Sequence, residues 1–455
     1  MSDHLRRPTH LIHRTLAADY PAVVRGEGIY LWDKSGKRYM DASGGAAVSC
    51  LGHGHQKVLA AIKSQLDGVA YAHTSFFTSE PAERLADFLI ARAPEGFGRV
   101  CFVSGGSEGV EGALKLVRQA HWERGEKARS HFIARDQSYH GGTLGMLALG
   151  GHRYRREAFE AMFGEGMSMS HVAACYPYRH QQVDETAEEY GLRAARTLED
   201  QILRVGPDKV AGFVVETVAG ATLGCVPPPP GYFREVRRIC DRYGVCLIVD
   251  EVMAGMGRTG SLFAILSEGV SPDVIIIAKG LGAGYQPIGA VLVREAIAEA
   301  IENGSGDLKW SHTYMAHPTA CAAALAVQTV IEEEGLLANV QARGAELMSR
   351  LQDRFGQHAN VGDIRGRGLL IALELVKDRA SKQPFLREQK LAERFKVAGM
   401  RNGLCCYPSG GTIDGRQGDH VLLAPAFIIT SDQTAELVEL LDKTLADSLS
   451  GVERS

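Results

Sequence analysis

The strongest constraint on this 455-residue chain is a repeated change of texture between about residues 95 and 330. Short apolar runs alternate with amphipathic segments: "RVCFV" precedes "GVEGALKLVRQAH", "VAGFVVET" precedes "GYFREVRRICDRY", and "VCLIVDEV", "DVIIIAK" and "GAVLV" follow. Strand, helix, strand in this order predicts an α/β fold with a large, doubly wound, mostly parallel sheet. Val110, Ala113, Leu114 and Val117 fall at i, i+3, i+4 and i+7, and Phe233, Val236, Ile239, Cys240 and Tyr243 recur similarly, so both helical stripes are expected to face the sheet. Val274, Ile275, Ile276 and Ile277 are continuous rather than alternating, the pattern of a parallel strand covered on both faces.

After residue 330 the texture changes. A long helix-like stretch, "VIEEEGLLANVQARGAELMSRLQDRF", is followed by "GLLIALELV" and a Gly-rich "YPSGGTIDGRQGD", which reads as a smaller α+β domain over 331–455. Near the start, "IYLWDKSGKRYMDA" places Asp-Lys-Ser-Gly as a hairpin turn between two short strands. The expected division is an N-terminal segment, 1–60, that packs with the small domain, a large domain, 61–330, and the small domain.

Charge and cysteine content narrow the function. A net charge of −4 gives no basic field for nucleic acid, and the short basic cluster "HRYRREAF" reads as a solvated surface face. Nine cysteines in so long a chain are too sparse for a disulfide scaffold and show no CxxC or zinc spacing, which points to a reducing cytoplasm and no metal. No signal peptide and no run of apolar residues long enough to span a bilayer is seen, so neither export nor membrane insertion is expected.

Lys279 follows its apolar run directly, at the C-terminal end of a buried strand. Burial there lowers an amine's pKa and makes it nucleophilic. Asp250 ends the run "VCLIVD", and ligands of open parallel sheets lie beyond such strand ends. Alone, Asp250 fits a helix cap equally well; an acid and an amine at one sheet edge favour a site. "VSGGSEG" leads a strand through Ser104, Gly105, Gly106 and Ser107 into a helix, an anion cradle by its free N–H groups and helix dipole or a glycine turn required by sterics alone. "DQSYHGG" sets Tyr139 where its ring approaches a planar ligand or simply packs, and "WSHTYMAHP" sets Thr313 ahead of a helix as a ligand or a cap.

Together these segments resemble the class III pyridoxal-phosphate aminotransferases of fold type I. The likeness runs from "GIYLWDKSGKRYMDASGGAAVSCLGHGH" through "SGGSEGVEGALKL", "SYHGGT", "ETVAGATLGCVPPPPGYF", "DEVMAGMGRTG", "AKGLGAGYQPIGAV", "SHTYMAHPTACAAALA" and "IRGRGLLIALEL" to "LLAPAFIIT". The resemblance implies that Lys279 forms a Schiff base with the aldehyde of pyridoxal 5'-phosphate and that Asp250 stands beside the pyridine nitrogen. It further implies that Val252 and Tyr139 sandwich the ring, Gly106 and Ser107 cradle the phosphate, Glu216 lies near the cofactor, and Thr313 reaches the phosphate from the other subunit of a homodimer with shared sites. The implied activity moves an amino group from an amine, diamine or ω-amino acid to a 2-oxo acid, pyruvate or 2-oxoglutarate.

Met253 stands where many members carry a Gln that bonds the cofactor's ring oxygen, a departure that resembles the amine and ω-amino-acid branch more than the ornithine or GABA branch; "ETVAG" also lacks the usual proline after Glu216. Arg416, in "DGRQGDHVLL", lies close to where that branch carries a mobile arginine for substrate carboxylates; an exposed loop arginine is the other reading. The same lysine and aspartate would also serve an aminomutase or a decarboxylase. A nicotinamide oxidoreductase is disfavoured because Tyr285 stands where GxGxxG requires its third glycine.

Overall fold

In the computed structural model, which describes residues 9–16, 18–164 and 167–452, the alternating apolar runs form one seven-stranded sheet. The first eight residues of the expected N-terminal segment lie outside the described residues. In spatial order the strands are Phe97–Val103, Gly289–Arg294, Val274–Ile277, Cys246–Asp250, Val210–Glu216, His131–Arg135 and Met169–Val172. The last five run parallel to one another, and Gly289–Arg294 is antiparallel to both its neighbours.

Every residue of Val210–Glu216 and of Val274–Ile277 is buried, which is why these runs do not alternate. Each valine or isoleucine removed from water there contributes roughly 1.5–3 kcal/mol. The helix Gly106–Glu123 buries Val110, Ala113, Leu114 and Val117. The helix Tyr232–Tyr243 buries Phe233, Val236, Ile239 and Cys240. Helices thus cover the sheet with the stripes that their spacing predicts.

The stretch after residue 330 is not one helix. A helix Pro318–Glu333 ends, Gly335 takes a left-handed φ of 62°, and a second helix runs Leu336–Phe355. Glycine adopts that conformation without steric cost, so the helical periodicity continues across a break it does not reveal. Beyond lies a four-stranded antiparallel sheet, ordered Val361–Arg367, Leu370–Leu375, Asp419–Leu423, Tyr407–Gly410. The N-terminal hairpin pairs Tyr30–Asp33 with Arg38–Asp41, and its turn is tied by Asp33 Oδ1, which accepts from the N–H groups of Ser35 and Lys37 at 2.8 and 3.1 Å. Leu404–Cys405 adds to this sheet parallel to Arg38–Asp41. No helix of the described residues is long and apolar enough to cross a membrane.

Candidate active site

Register brings the acid and the amine together. Cys246–Asp250 and Val274–Ile277 are adjacent parallel strands in which Asp250 faces Ile276, so Lys279 emerges just past the strand end beside the carboxylate. Both line a cavity of about 390 Å³, with Gly106, Ser107, Tyr139, His140, Glu216, Val252 and Met253 among its walls. Lys279 holds a left-handed φ of 43°, an uncommon conformation for a residue with a Cβ and one that clusters at functional sites. The lysine is half-buried, its open side being the cavity. Burial is the largest influence on its amine and brings the pKa down from 10.5 to about 8, although Asp250 and Glu216 favour the charged form.

Asp250 is 6 % exposed and fixed at both oxygens. Val252 N donates to Oδ1 at 3.0 Å and His140 Nδ1 donates to Oδ2 at 2.8 Å. The other ring nitrogen of His140 is buried and meets no partner among the described residues. Glu216 accepts from the N–H groups of Tyr139 at 3.2 Å and Gly220 at 2.9 Å, and burial raises its pKa. Next to Asp250, the fully buried Glu251 is pushed up to about 7 by burial, against hydrogen bonds from Ala264 N, Ile265 N and the Thr217 hydroxyl. Thr217 occupies the position where the family's proline was expected, and its hydroxyl gives Glu251 a donor that a proline lacks.

The anion cradle is a helix start. Gly106 opens the 18-residue helix Gly106–Glu123, whose first-turn N–H groups have no partner within the helix and whose dipole attracts negative charge. A Cβ on Gly106 would come within 2.9 Å of Val252, so glycine lets the helix start close against the cavity wall. Ser107 Oγ accepts from Gly142 N at 3.0 Å. A half-buried amine of lowered pKa, a carboxylate held by two hydrogen bonds, walls that include Tyr139 and Val252, and a helix start with free N–H groups are together compatible with pyridoxal phosphate.

Thr313, expected to serve the other subunit's site, and Arg416 do not line this cavity. Thr313 is exposed, and its carbonyl oxygen accepts from the Tyr71 hydroxyl at 2.8 Å. Arg416 is exposed on a loop with Nη2 3.2 Å from Glu157 Oε2. The "HRYRREAF" cluster is not the solvated face its charges suggest. Arg153 and Tyr154 are exposed, but Arg155 and Arg156 are half-buried, and Arg155 lies with its guanidinium carbon 4.7 Å over the Tyr139 ring. His140 is the residue that sequence reasoning passed over; its place between Tyr139 and a double glycine was the available signal, but its bond to Asp250 spans 110 residues.

An open, largely parallel sheet presents a lysine and an aspartate beyond two adjacent strand ends, a place where ligands of such sheets bind. The chain belongs to the aminotransferase class-III family, whose profile matches residues 15–445, and that family uses pyridoxal 5'-phosphate. An uncharacterized aminotransferase of Schizosaccharomyces pombe is 47 % identical over 452 residues, 99 % of this chain and 98 % of its own. The crystal structure of an (S)-enantioselective omega-transaminase from Thermomicrobium roseum superposes with a TM-score of 0.90 at 34 % identity, covering 97 % of this chain and 96 % of its own. An amine transaminase from an uncultivated Pseudomonas species, solved in its PLP-bound form, gives a TM-score of 0.87 at 34 % identity over 98 % and 99 % of the two chains.

Proposed function

We propose that this class III aminotransferase takes the amino group from an amine, diamine or ω-amino acid and delivers it to pyruvate or 2-oxoglutarate. The observation that carries this reading is the pairing of a low-pKa Lys279 with a hydrogen-bonded Asp250 at adjacent strand ends. Relatives of 33–34 % identity are named for diaminobutyrate with 2-oxoglutarate, putrescine with pyruvate and taurine with pyruvate, which supports both donor and acceptor classes.

When bound, pyridoxal phosphate supplies a carbonyl carbon for amines and a ring that accepts the electrons left by a departing proton. In our reading Gly106 and Ser107 hold its phosphate and Tyr139 and Val252 bracket its ring. Asp250, fixed by His140 and Val252 N, presents its charge to the pyridine nitrogen, with Glu216 near it. Lys279 Nζ holds and moves the proton of the donor's nitrogen-bearing carbon, a task suited to an amine that titrates near 8. The segment 61–330 supplies these groups, with 1–60 and 331–455 as the N-terminal segment and small domain around it.

The same reading includes a homodimer. Thr313 is exposed beside Tyr314, which is 59 % accessible and whose ring lies 5.8 Å from that of Tyr71, and exposed aromatic surface marks interfaces; Thr313 would complete the neighbour's phosphate site. All nine cysteines are free thiols, which supports a cytoplasmic protein. The test is a panel of amine donors with pyruvate or 2-oxoglutarate, measuring the amino acid formed. Equal amounts of each acceptor's amino acid and of the donor's carbonyl product are expected. Product formed from the donor alone, without any 2-oxo acid, would overturn transamination in favour of a mutase or decarboxylase.

A further inference from the structure

Three arginines stand on the short helix Arg153–Arg156, and their surroundings differ. Arg153 is exposed. Arg156 is half-buried and well supplied: it donates to Gly150 O at 3.0 Å, contacts His171 at 3.0 Å, and has Glu160 Oε1 at 3.8 Å. Arg155 is half-buried as well, yet its guanidinium has no carboxylate or carbonyl partner among the described residues; its Nε, like that of Arg156, is buried without a hydrogen-bond acceptor. It lies over the ring of Tyr139, a wall of the cavity, and its charge reaches Lys279, whose proton affinity it lowers.

A guanidinium laid on an aromatic face keeps its donors in one plane, the arrangement that takes a carboxylate with two parallel hydrogen bonds. Arg416, the other arginine considered for that task, does not line the cavity. It is paired with Glu157 at the surface. Its loop is pinned by Gln137 Nε2, which donates to the carbonyls of Gly411 and Thr412 at 2.9 and 3.1 Å.

We propose that Arg155, rather than Arg416, receives the carboxylate of the amino acceptor, its guanidinium resting on Tyr139 and binding the 2-oxo acid or, in reverse, the amino acid. The proposal rests on the transaminase reading above and refines it by naming the specificity residue for the carboxylate-bearing partner. A simple amine donor makes no use of this contact, so a single site serves substrates with and without a carboxylate.

The test uses the cofactor-loaded enzyme and its Arg155→Gln, Arg155→Lys, Arg416→Gln and Arg153→Gln variants. KM and kcat are measured for pyruvate and for butanal, an acceptor without a carboxylate, with the best donor of the panel. Binding of propionate, an inert carboxylate, is measured by calorimetry. Loss of a charged hydrogen-bond partner predicts a pyruvate KM and a propionate Kd raised roughly ten- to a hundredfold in Arg155→Gln, with kcat/KM for butanal changed by less than about threefold. Arg155→Lys falls between, because the charge stays and the planar fork is lost. Arg153→Gln matches the wild type. The proposal is overturned if Arg155→Gln harms pyruvate and butanal equally, which reduces Arg155 to a support for the Tyr139 ring, or if Arg416→Gln is the variant that loses propionate. If Arg155→Gln fails to fold, Arg155→Lys decides on the same pyruvate-to-butanal ratio. A wild-type enzyme that uses neither acceptor breaks the transaminase reading, and propionate titration still judges Arg155.

Discussion

Lys279 and Thr313 are both assigned to cofactor binding, one in its own chain's site and one in the neighbour's, and the chain treats them in opposite ways. Lys279 leaves a strand buried on both faces and enters a cavity lined by Gly106, Tyr139, Glu216 and Asp250 of its own chain. Thr313 lies exposed between Trp310 and the helix Pro318–Glu333, with the Tyr71 hydroxyl donating to its carbonyl. A residue placed by register inside one chain has its chemistry fixed by that chain. A residue on the outside acquires its chemistry from whatever surface it meets. Substitutions at the sheet edge should therefore act on the site of their own chain, whereas those at Thr313 should act only through the dimer.

The largest effect is expected at the amine. Lys279→Ala should lower turnover by roughly 10⁴-fold or more, in the range of losing a catalytic nucleophile or base, and borohydride should no longer fix the cofactor to the peptide containing residue 279. Retained fixation at another lysine would break the comparison at its centre. Next is Asp250→Asn, which keeps shape and removes charge. A buried charge partner lost costs about 3–5 kcal/mol, or roughly 10²- to 10⁴-fold in single-turnover rate, with cofactor largely retained. A mutant within a few fold of the wild type would make Asp250 a mere strand-end residue.

His140→Phe removes one of the two hydrogen bonds that orient Asp250. About 1–2 kcal/mol, roughly a tenfold loss in rate, is expected, together with a shift in the pH midpoint of the cofactor's visible absorbance that a purely packing role would not produce. Thr313→Ala should weaken cofactor affinity by about 1 kcal/mol, and only where sedimentation shows the dimer; an equal loss in a monomer would remove the contrast between the two regions. The smallest effect is a pH midpoint. In cofactor-free protein burial brings the pKa of Lys279 down from 10.5 to about 8, so stopped-flow capture of pyridoxal phosphate should rise with pH through a midpoint near 8 and level above it. The same shift means that the unfolded chain binds the extra proton between about pH 8 and 10.5, so this residue adds stability as pH rises through that window and loses it on acidification.

What the sequence discloses follows the same division. The strand ends were legible because a fully covered parallel strand must be a continuous apolar run, and Lys279 and Asp250 end two such runs. The helix start at Gly106 was legible because strand, glycine turn and amphipathic helix are contiguous. Three features were not. The break at Gly335 leaves helical periodicity intact on both sides. The contact of His140 with Asp250 depends on strand order, which no local pattern encodes. Arg155 was lost in a charge run, because three arginines within four residues look alike in sequence and only the helix's orientation separates the exposed one from the one lying on Tyr139.

The parallel pairing of Arg38–Asp41 with Leu404–Cys405 also bears on how the molecule is made. At about 5–20 residues per second, roughly 20 s to over a minute passes between synthesis of Met40 and of Leu404. Throughout that interval the N-terminal hairpin carries an unpaired edge, the kind that templates aggregation. Contacts so distant in sequence also form late once the chain is released. Biosynthesis therefore places its hazard at the first strands to emerge, and a chaperone that shields the nascent N-terminus should raise the yield of folded enzyme more than one that acts on the completed chain.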